Sequence, residues 1–119
     1  LTERRRIAME VTTQEFRRCS LVKPSGRIDA ATAPQLQDAL DALIQAGTYR
    51  LVLDMSEVGF ISSVGLRVLV ATRKKCRRYN RGDLVLADPS PGVRRTLELA
   101  GFYTLFDVYD TPIEAVGCV

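Results

Sequence analysis

The chain contains no histidine and no tryptophan, and only 7% of its residues are aromatic. Without histidine the usual general base, the usual triad partner and the commonest metal ligand are all missing, so most hydrolase and metalloenzyme schemes lose their central residue. Cysteine is scarce as well. Cys19, Cys76 and Cys118 are an odd number, far apart and without a CxxC pair, so reduced thiols are expected rather than a disulfide framework. No apolar run approaches the roughly 20 residues that cross a bilayer, and the opening Leu-Thr-Glu-Arg-Arg-Arg does not lead into a signal-peptide core. A cytoplasmic protein with no membrane association is the resulting expectation. Phosphate-binding glycine loops, metal-ligand clusters, low-complexity linkers and internal repeats are absent too.

What remains is an ordinary globular composition, 46% hydrophobic and 26% charged over 119 residues. One domain over residues 1–119 is expected, with residues 1–6 as a flexible N-terminal arm. Met9 to Phe16 and Cys19 to Ile28 read as two extended segments joined by a tight turn at Arg17-Arg18, the second bent or bulged at Pro24-Ser25-Gly26. Thr32-Ala33-Pro34-Gln35 has the form of a helix start with a capping box. Leu36, Ala39, Leu40, Leu43 and Ile44 then follow at the spacing of one buried helical face, which Gly47 ends. Tyr49 to Asp54 and Leu84 to Asp88 are short, apolar and suited to strands covered on both faces. Between them a helix is expected from Gly65 to about Asn80. Ser90-Pro91 opens another, closed by Gly101, and Thr111-Pro112-Ile113-Glu114 opens a last short one after an extended piece at Leu105 to Tyr109. The order predicts an α/β fold with one small mixed sheet of about five strands and about four helices.

Three features could carry chemistry. Ser62-Ser63 lies where a strand hands over to a helix, so either hydroxyl can cap the helix, or one can carry an anionic group at the positive end of its dipole. The surrounding glycines have the wrong spacing for a nucleophile elbow, and no histidine can serve as base. Arg67, Arg73, Lys74, Lys75, Arg77, Arg78 and Arg81 give the following helix a basic surface, which its C-terminal dipole partly explains. With no aromatic platform interleaved, nucleic-acid binding is not expected. Asp29, Asp54 and Asp88 each leave an apolar strand and are expected at one rim of the sheet, where turn carboxylates usually bond backbone.

Three stretches together resemble the STAS domains of bacterial anti-sigma factor antagonists: Leu51-Val52-Leu53-Asp54-Met55-Ser56, Phe60-Ile61-Ser62-Ser63-Val64-Gly65-Leu66 and Val93 to Phe102. Gly26-Arg27-Ile28-Asp29 is similar to the family's Gly-x-x-Asp, and the likeness continues to Asp110-Thr111-Pro112. The resemblance implies a protein without enzymatic activity or cofactor. Its partner would be an anti-sigma factor, often a serine/threonine kinase of the histidine-kinase-like ATPase type, and a serine phosphatase would reset it. By motif position the phosphorylated serine is Ser63, with Ser62 the alternative. Here Ser62 and Val64 replace the family's usual Asp before that serine and Ser or Thr after it. The implied partner-binding residues are Asp29, Asp54, Ser62, Ser63, Val64, Gly65, Leu66 and Arg67. The protein could be a monomer, or a homodimer formed through an open sheet edge. A stand-alone STAS module sensing a nucleotide or other small anion at Asp29, Asp54 and Ser63 is the alternative, as is a scaffold that is never phosphorylated.

Overall fold

A computed structural model describes residues 9–79 and 81–118, the side chain of Cys118 excepted. The Arg4 to Arg6 run, the expected arm at 1–6 and Asn80 itself lie outside the described residues; the helix expected from Gly65 to about Asn80 instead begins at Ser63 and ends at Arg77, because Ser62 is the cap. β1 (Met9–Glu15) and β2 (Ser20–Ile28) form the expected hairpin, closed where the Phe16 N–H donates to the Cys19 carbonyl at 2.8 Å. α1 (Ala33–Gln45) follows, then β3 (Arg50–Asp54), β4 (Val58–Ile61), α2 (Ser63–Arg77), β5 (Asp83–Ala87), α3 (Pro91–Leu99), β6 (Val108–Tyr109) and α4 (Pro112–Cys118). The strands run in the order β1-β2-β3-β5-β6, with β4 paired to β2; among the described residues only the β1–β2 pair is antiparallel.

Alternation along the central strands divides the core. Leu51 and Leu53 of β3 and Leu84 and Leu86 of β5 face the side covered by α1, α2 and α3, while Val52, Val85 and Ala87 face the side covered by α4 through Ala115. Both faces are buried, which is why these strands are nearly continuous apolar runs. α1 buries Leu36, Leu40 and Ile44 as its spacing predicts, and Gly47 ends it at φ +96°. Cys19 and Cys76 are free and buried. Burial, with Asp83 adding to it, pushes the Cys76 thiol up to about 12.

β4 is a strand that the sequence reading takes as part of a turn. It is short, and only its first and last residues are buried, so Val58-Gly59-Phe60-Ile61 lacks alternation. β3 and β4 lie end to end along β2: Ser20 to Val22 pair with Leu51 to Leu53, and Gly26 to Ile28 pair with Val58 to Ile61 across a bulge at Gly26 and Arg27. Pro24 falls between these two partnered stretches, where its missing N–H interrupts neither ladder.

Two caps differ from expectation. The Thr32 hydroxyl donates to the Arg27 carbonyl at 2.6 Å and accepts from the Asp29 N–H at 2.9 Å, so it does not cap α1. Gln35 likewise leaves the proposed capping box and donates to the Met9 carbonyl at 3.1 Å. Ser90 occupies the N-cap position of α3, but its hydroxyl donates to the Val58 carbonyl and ties that helix to β4. Thr111 does cap α4, accepting from the Glu114 N–H at 3.1 Å.

Candidate functional site

β2 and β4 end side by side, and their exits bring Asp29 and Ser62 together. The Ser62 N–H donates to the Ile28 carbonyl at 2.8 Å, which holds the start of α2 against the end of β2. Ser62 is the N-cap: its backbone is extended and its Oγ accepts from the Gly65 N–H at 3.3 Å. The following Ser63 is the first helical residue and is exposed. One hydroxyl is therefore engaged in the cap, and among the described residues the other has no hydrogen-bond partner. The first N–H groups of α2 also lack intrahelical acceptors and lend the position a positive potential.

Gly65 is needed for this packing. A Cβ there would come within 2.7 Å of Ile28 Cγ2 and 2.8 Å of Ile61 Cγ1, so the first turn of α2 lies directly on the ends of β2 and β4. Gly65 is buried and seats the helix, while Val64 and Leu66 are half-buried and Arg67 is exposed.

Asp29 turns the chain from β2 towards α1. Its Oδ1 accepts from the Ala31 and Thr32 N–H groups at 3.0 and 3.2 Å. Partial desolvation works against its charge. The backbone N–H groups of Thr32 and Ala31, the Thr32 hydroxyl and the Arg27 guanidinium outweigh that and hold the carboxyl below the usual carboxylate range. Arg27 approaches Asp29 at 3.7 Å and lies over the Phe60 ring, 4.3 Å from its centroid. Arg27 and Phe60 were not among the site residues read from the sequence. Phe60 is a large apolar side chain left 39% exposed beside the serines, and nothing in its local pattern marks it, because β4 itself lacks alternation.

Asp54 does not join this cluster. Leu53 pairs with Val22 whereas Ile61 pairs with Ile28, so Asp54 lies about six residues back along β2, on the order of 15–20 Å from Asp29. It is only 4% exposed, and its Oδ1 accepts from the Ser56 N–H at 3.0 Å. The expected single rim of aspartates is thus divided: Asp54 lies opposite Ala87, next to Asp88, while Asp29 stands with the serines. β4 causes the division by carrying the chain a further stretch along β2 before α2 begins. Among the described residues no group of three or more Asp, Glu, Cys or His could hold a metal ion.

A shallow groove of about 330 Å³ adjoins the serines, lined by Ala30, Ala33, Pro34, Gln37 and Asp38 on one side and by Val64 and Val68 of α2 on the other. Three of the basic residues at the far end of α2 are engaged elsewhere. Lys75 pairs with Asp41 at 2.8 Å, and Arg73 and Arg77 each approach Asp83 at 3.9 Å. Among the described residues, no helix is long and apolar enough to cross a membrane.

The STAS domain family model matches residues 10–115. A Bordetella bronchiseptica protein, BtrV, named as a candidate anti-sigma factor antagonist, is 40% identical over 83 residues, covering 70% of this chain and 71% of its own. An anti-sigma-B factor antagonist of Staphylococcus aureus is 30% identical over 100 residues, 84% of this chain and 90% of that one. The crystal structure of an anti-sigma factor antagonist from Mycobacterium paratuberculosis superposes with a TM-score of 0.85 at 32% identity, covering 93% of each chain. A mixed sheet with β4 extending β3, a serine-capped second helix and a family match over nearly the whole length lead to one assignment: the chain belongs to the STAS domain family.

Proposed function

We propose that this protein is an anti-sigma factor antagonist. In this reading it binds an anti-sigma factor of the kinase type at the N-terminal end of α2 and is released when Ser63 is phosphorylated. The observation that carries the reading is the division of labour between the two serines. Ser62 is held in the cap by the Gly65 N–H, whereas Ser63 is exposed on the first turn. The names of the relatives support the antagonist role. The contact surface comprises Asp29, Ser62, Ser63, Val64, Leu66 and Arg67, together with Arg27, Phe60 and the adjoining groove. Gly65 and the buried Asp54 serve it indirectly, the first by seating the helix and the second by holding the turn into β4.

Phosphorylation adds about −1.5 to −2 charges at pH 7. Next to free helix N–H groups that charge is tolerated within the isolated protein, so the fold survives the modification. In a closed complex the same charge is desolvated, and a 100-fold loss of affinity requires about 2.8 kcal/mol, within reach of one poorly matched interfacial charge. The test is incubation with the cognate kinase and ATP, followed by mass spectrometry. One phosphate is expected on the parent and on Ser62→Ala, and none on Ser63→Ala. Equal labelling of Ser63→Ala and the parent would overturn the assignment.

A further inference from the structure

At the opposite end of the parallel strands lies a polar cleft of about 420 Å³. It forms where the β1–β2 turn, with Glu15 to Ser20, meets the α1–β3 connection, with Gly47 to Arg50. Arg17, Arg18 and Arg50 line it against one carboxylate, Glu15. Among the described residues, none of the three arginines has a carboxylate within ion-pair distance, in contrast to Arg73, Lys75 and Arg77 of α2. Arg50 is fixed by a single bond, its Nε donating to the Arg81 carbonyl at 3.2 Å, which leaves its two terminal nitrogens available. Arg17 and Arg18 stand at the tip of the turn that the Phe16–Cys19 backbone bond closes.

We propose that this cleft binds a small phosphate-bearing ligand. Guanidinium groups match phosphate oxygens in charge and in paired donor geometry, and a volume of this size suits a small ligand. α1 ends here, and its partial negative charge, about half an elementary charge, opposes an anion. Three full positive charges against one carboxylate outweigh it. The cleft lies at the start of β2 and β3, whereas Asp29 and the serines lie beyond the end of β2, so a partner on α2 leaves it open. The site is independent of the function proposed above.

The test is titration of ¹⁵N-labelled protein with sodium pyrophosphate at constant ionic strength, followed by amide shifts. Saturable shifts are expected at residues 16–20 and 47–50. The Arg17→Gln/Arg18→Gln double variant and Arg50→Gln should each bind about tenfold more weakly. Arg95→Gln, on the exposed side of α3, should titrate like the parent. Unchanged core amide positions in each variant would show that the fold is retained. Shifts that never saturate, shifts centred on residues 62–67, or arginine variants that titrate like the parent would each overturn the proposal. So would saturable binding of a ten-residue polyglutamate peptide at the cleft without binding of pyrophosphate, which would make the cleft a docking site for acidic polypeptide.

Discussion

At its N-terminal end α2 leaves Ser63 and Arg67 exposed, keeps Val64 and Leu66 half-buried, and sits beside a partly exposed Phe60 and an open groove. At its C-terminal end Lys75 is paired with Asp41, Arg73 and Arg77 approach Asp83, and Cys76 is fully buried. The more conspicuous end in sequence, with its run of basic residues, is the one where Arg73, Lys75 and Arg77 already have partners inside the protein, while Lys74 and Arg78 extend into solvent. The less conspicuous end, made of small and apolar residues, is the one left without partners. Much of the charge at the basic end is thus engaged in internal pairs, and the surface proposed for binding is the apolar and hydroxyl-bearing one at the other end.

Single substitutions at the two ends should separate binding from stability. Ser63→Glu is expected to weaken association with the anti-sigma factor about 100-fold, roughly 2.8 kcal/mol, with stability changed by no more than about 0.5 kcal/mol. Lys75→Gln should do the reverse: no change in affinity, and at most about 1 kcal/mol of stability lost, because its ion pair is partly solvated. Calorimetric titration and urea unfolding of both variants provide the measurement. If Lys75→Gln weakened binding as much as Ser63→Glu, the distinction between the ends would collapse.

Glycines at the two ends offer a second contrast. A Cβ on Gly82 would collide with the Cys76 carbonyl oxygen, a backbone atom in the last turn of α2, and would also press on Tyr49 at 3.1 Å. Backbone cannot rotate away, so Gly82→Ala should destabilise by about 2.5 kcal/mol. Gly65→Ala meets side-chain rather than backbone atoms, of the buried Ile28 and Ile61, and a smaller loss of about 1.5 kcal/mol is expected. Gly65→Ala should nevertheless weaken partner binding, because it lifts the first turn that carries Ser63. Urea midpoints in the opposite order would show that the tight contacts relax differently.

The secure parts of the sequence reading were those in which a single period decides the structure: the 3.6-residue spacing of Leu36, Leu40 and Ile44, and the apolar runs of β3 and β5. Ser62-Ser63 is legible as a helix start, but which serine caps and which is exposed depends on where the Gly65 N–H points, a tertiary detail that local sequence does not carry. β4 was not legible, because a four-residue strand with an exposed centre has no pattern to detect. Reading a turn where β4 lies also puts Asp54 with Asp29, because beyond Asp54 the chain continues along β2 before α2 begins. Thr32 and Gln35 have a capping-box spacing, yet tertiary partners at Arg27, Asp29 and Met9 claim their side chains, a competition that local sequence does not encode.

Between the ends of α2 lies Thr72, wholly buried, whose Oγ1 has no hydrogen-bond partner among the described residues. An unsatisfied buried hydroxyl costs about 1–3 kcal/mol, so Thr72→Val, which keeps the shape and removes the polar atom, should stabilise the protein by about 1 kcal/mol. The gain should appear in the urea midpoint with affinity for the partner unchanged, since the site is interior to both ends. A loss of stability would mean that the hydroxyl has a partner after all, most simply an internal water.

The smallest expected effect concerns Asp29, on the open side of the comparison. Its carboxyl is held below the ordinary value of 3.8, with the N–H groups of Thr32 and Ala31, the Thr32 hydroxyl and Arg27 overcoming partial desolvation. A depressed folded-state value means that the unfolded chain takes up the proton first as pH falls. The carboxylate's contribution is thus fully present well above pH 3.8 and is lost as pH drops through the lower folded value. Asp29→Asn abolishes that titration, so stability measured between pH 6 and pH 2 should fall less steeply for the variant than for the parent. The difference should be confined to the acid side, because well above pH 3.8 the Asp29 carboxyl is ionised in the folded and the unfolded chain alike. Identical slopes for variant and parent would mean that Asp29 is held no better folded than unfolded. The turn from β2 into α1 would then owe its shape to the Thr32 hydroxyl and its bonds to the Arg27 carbonyl and the Asp29 N–H.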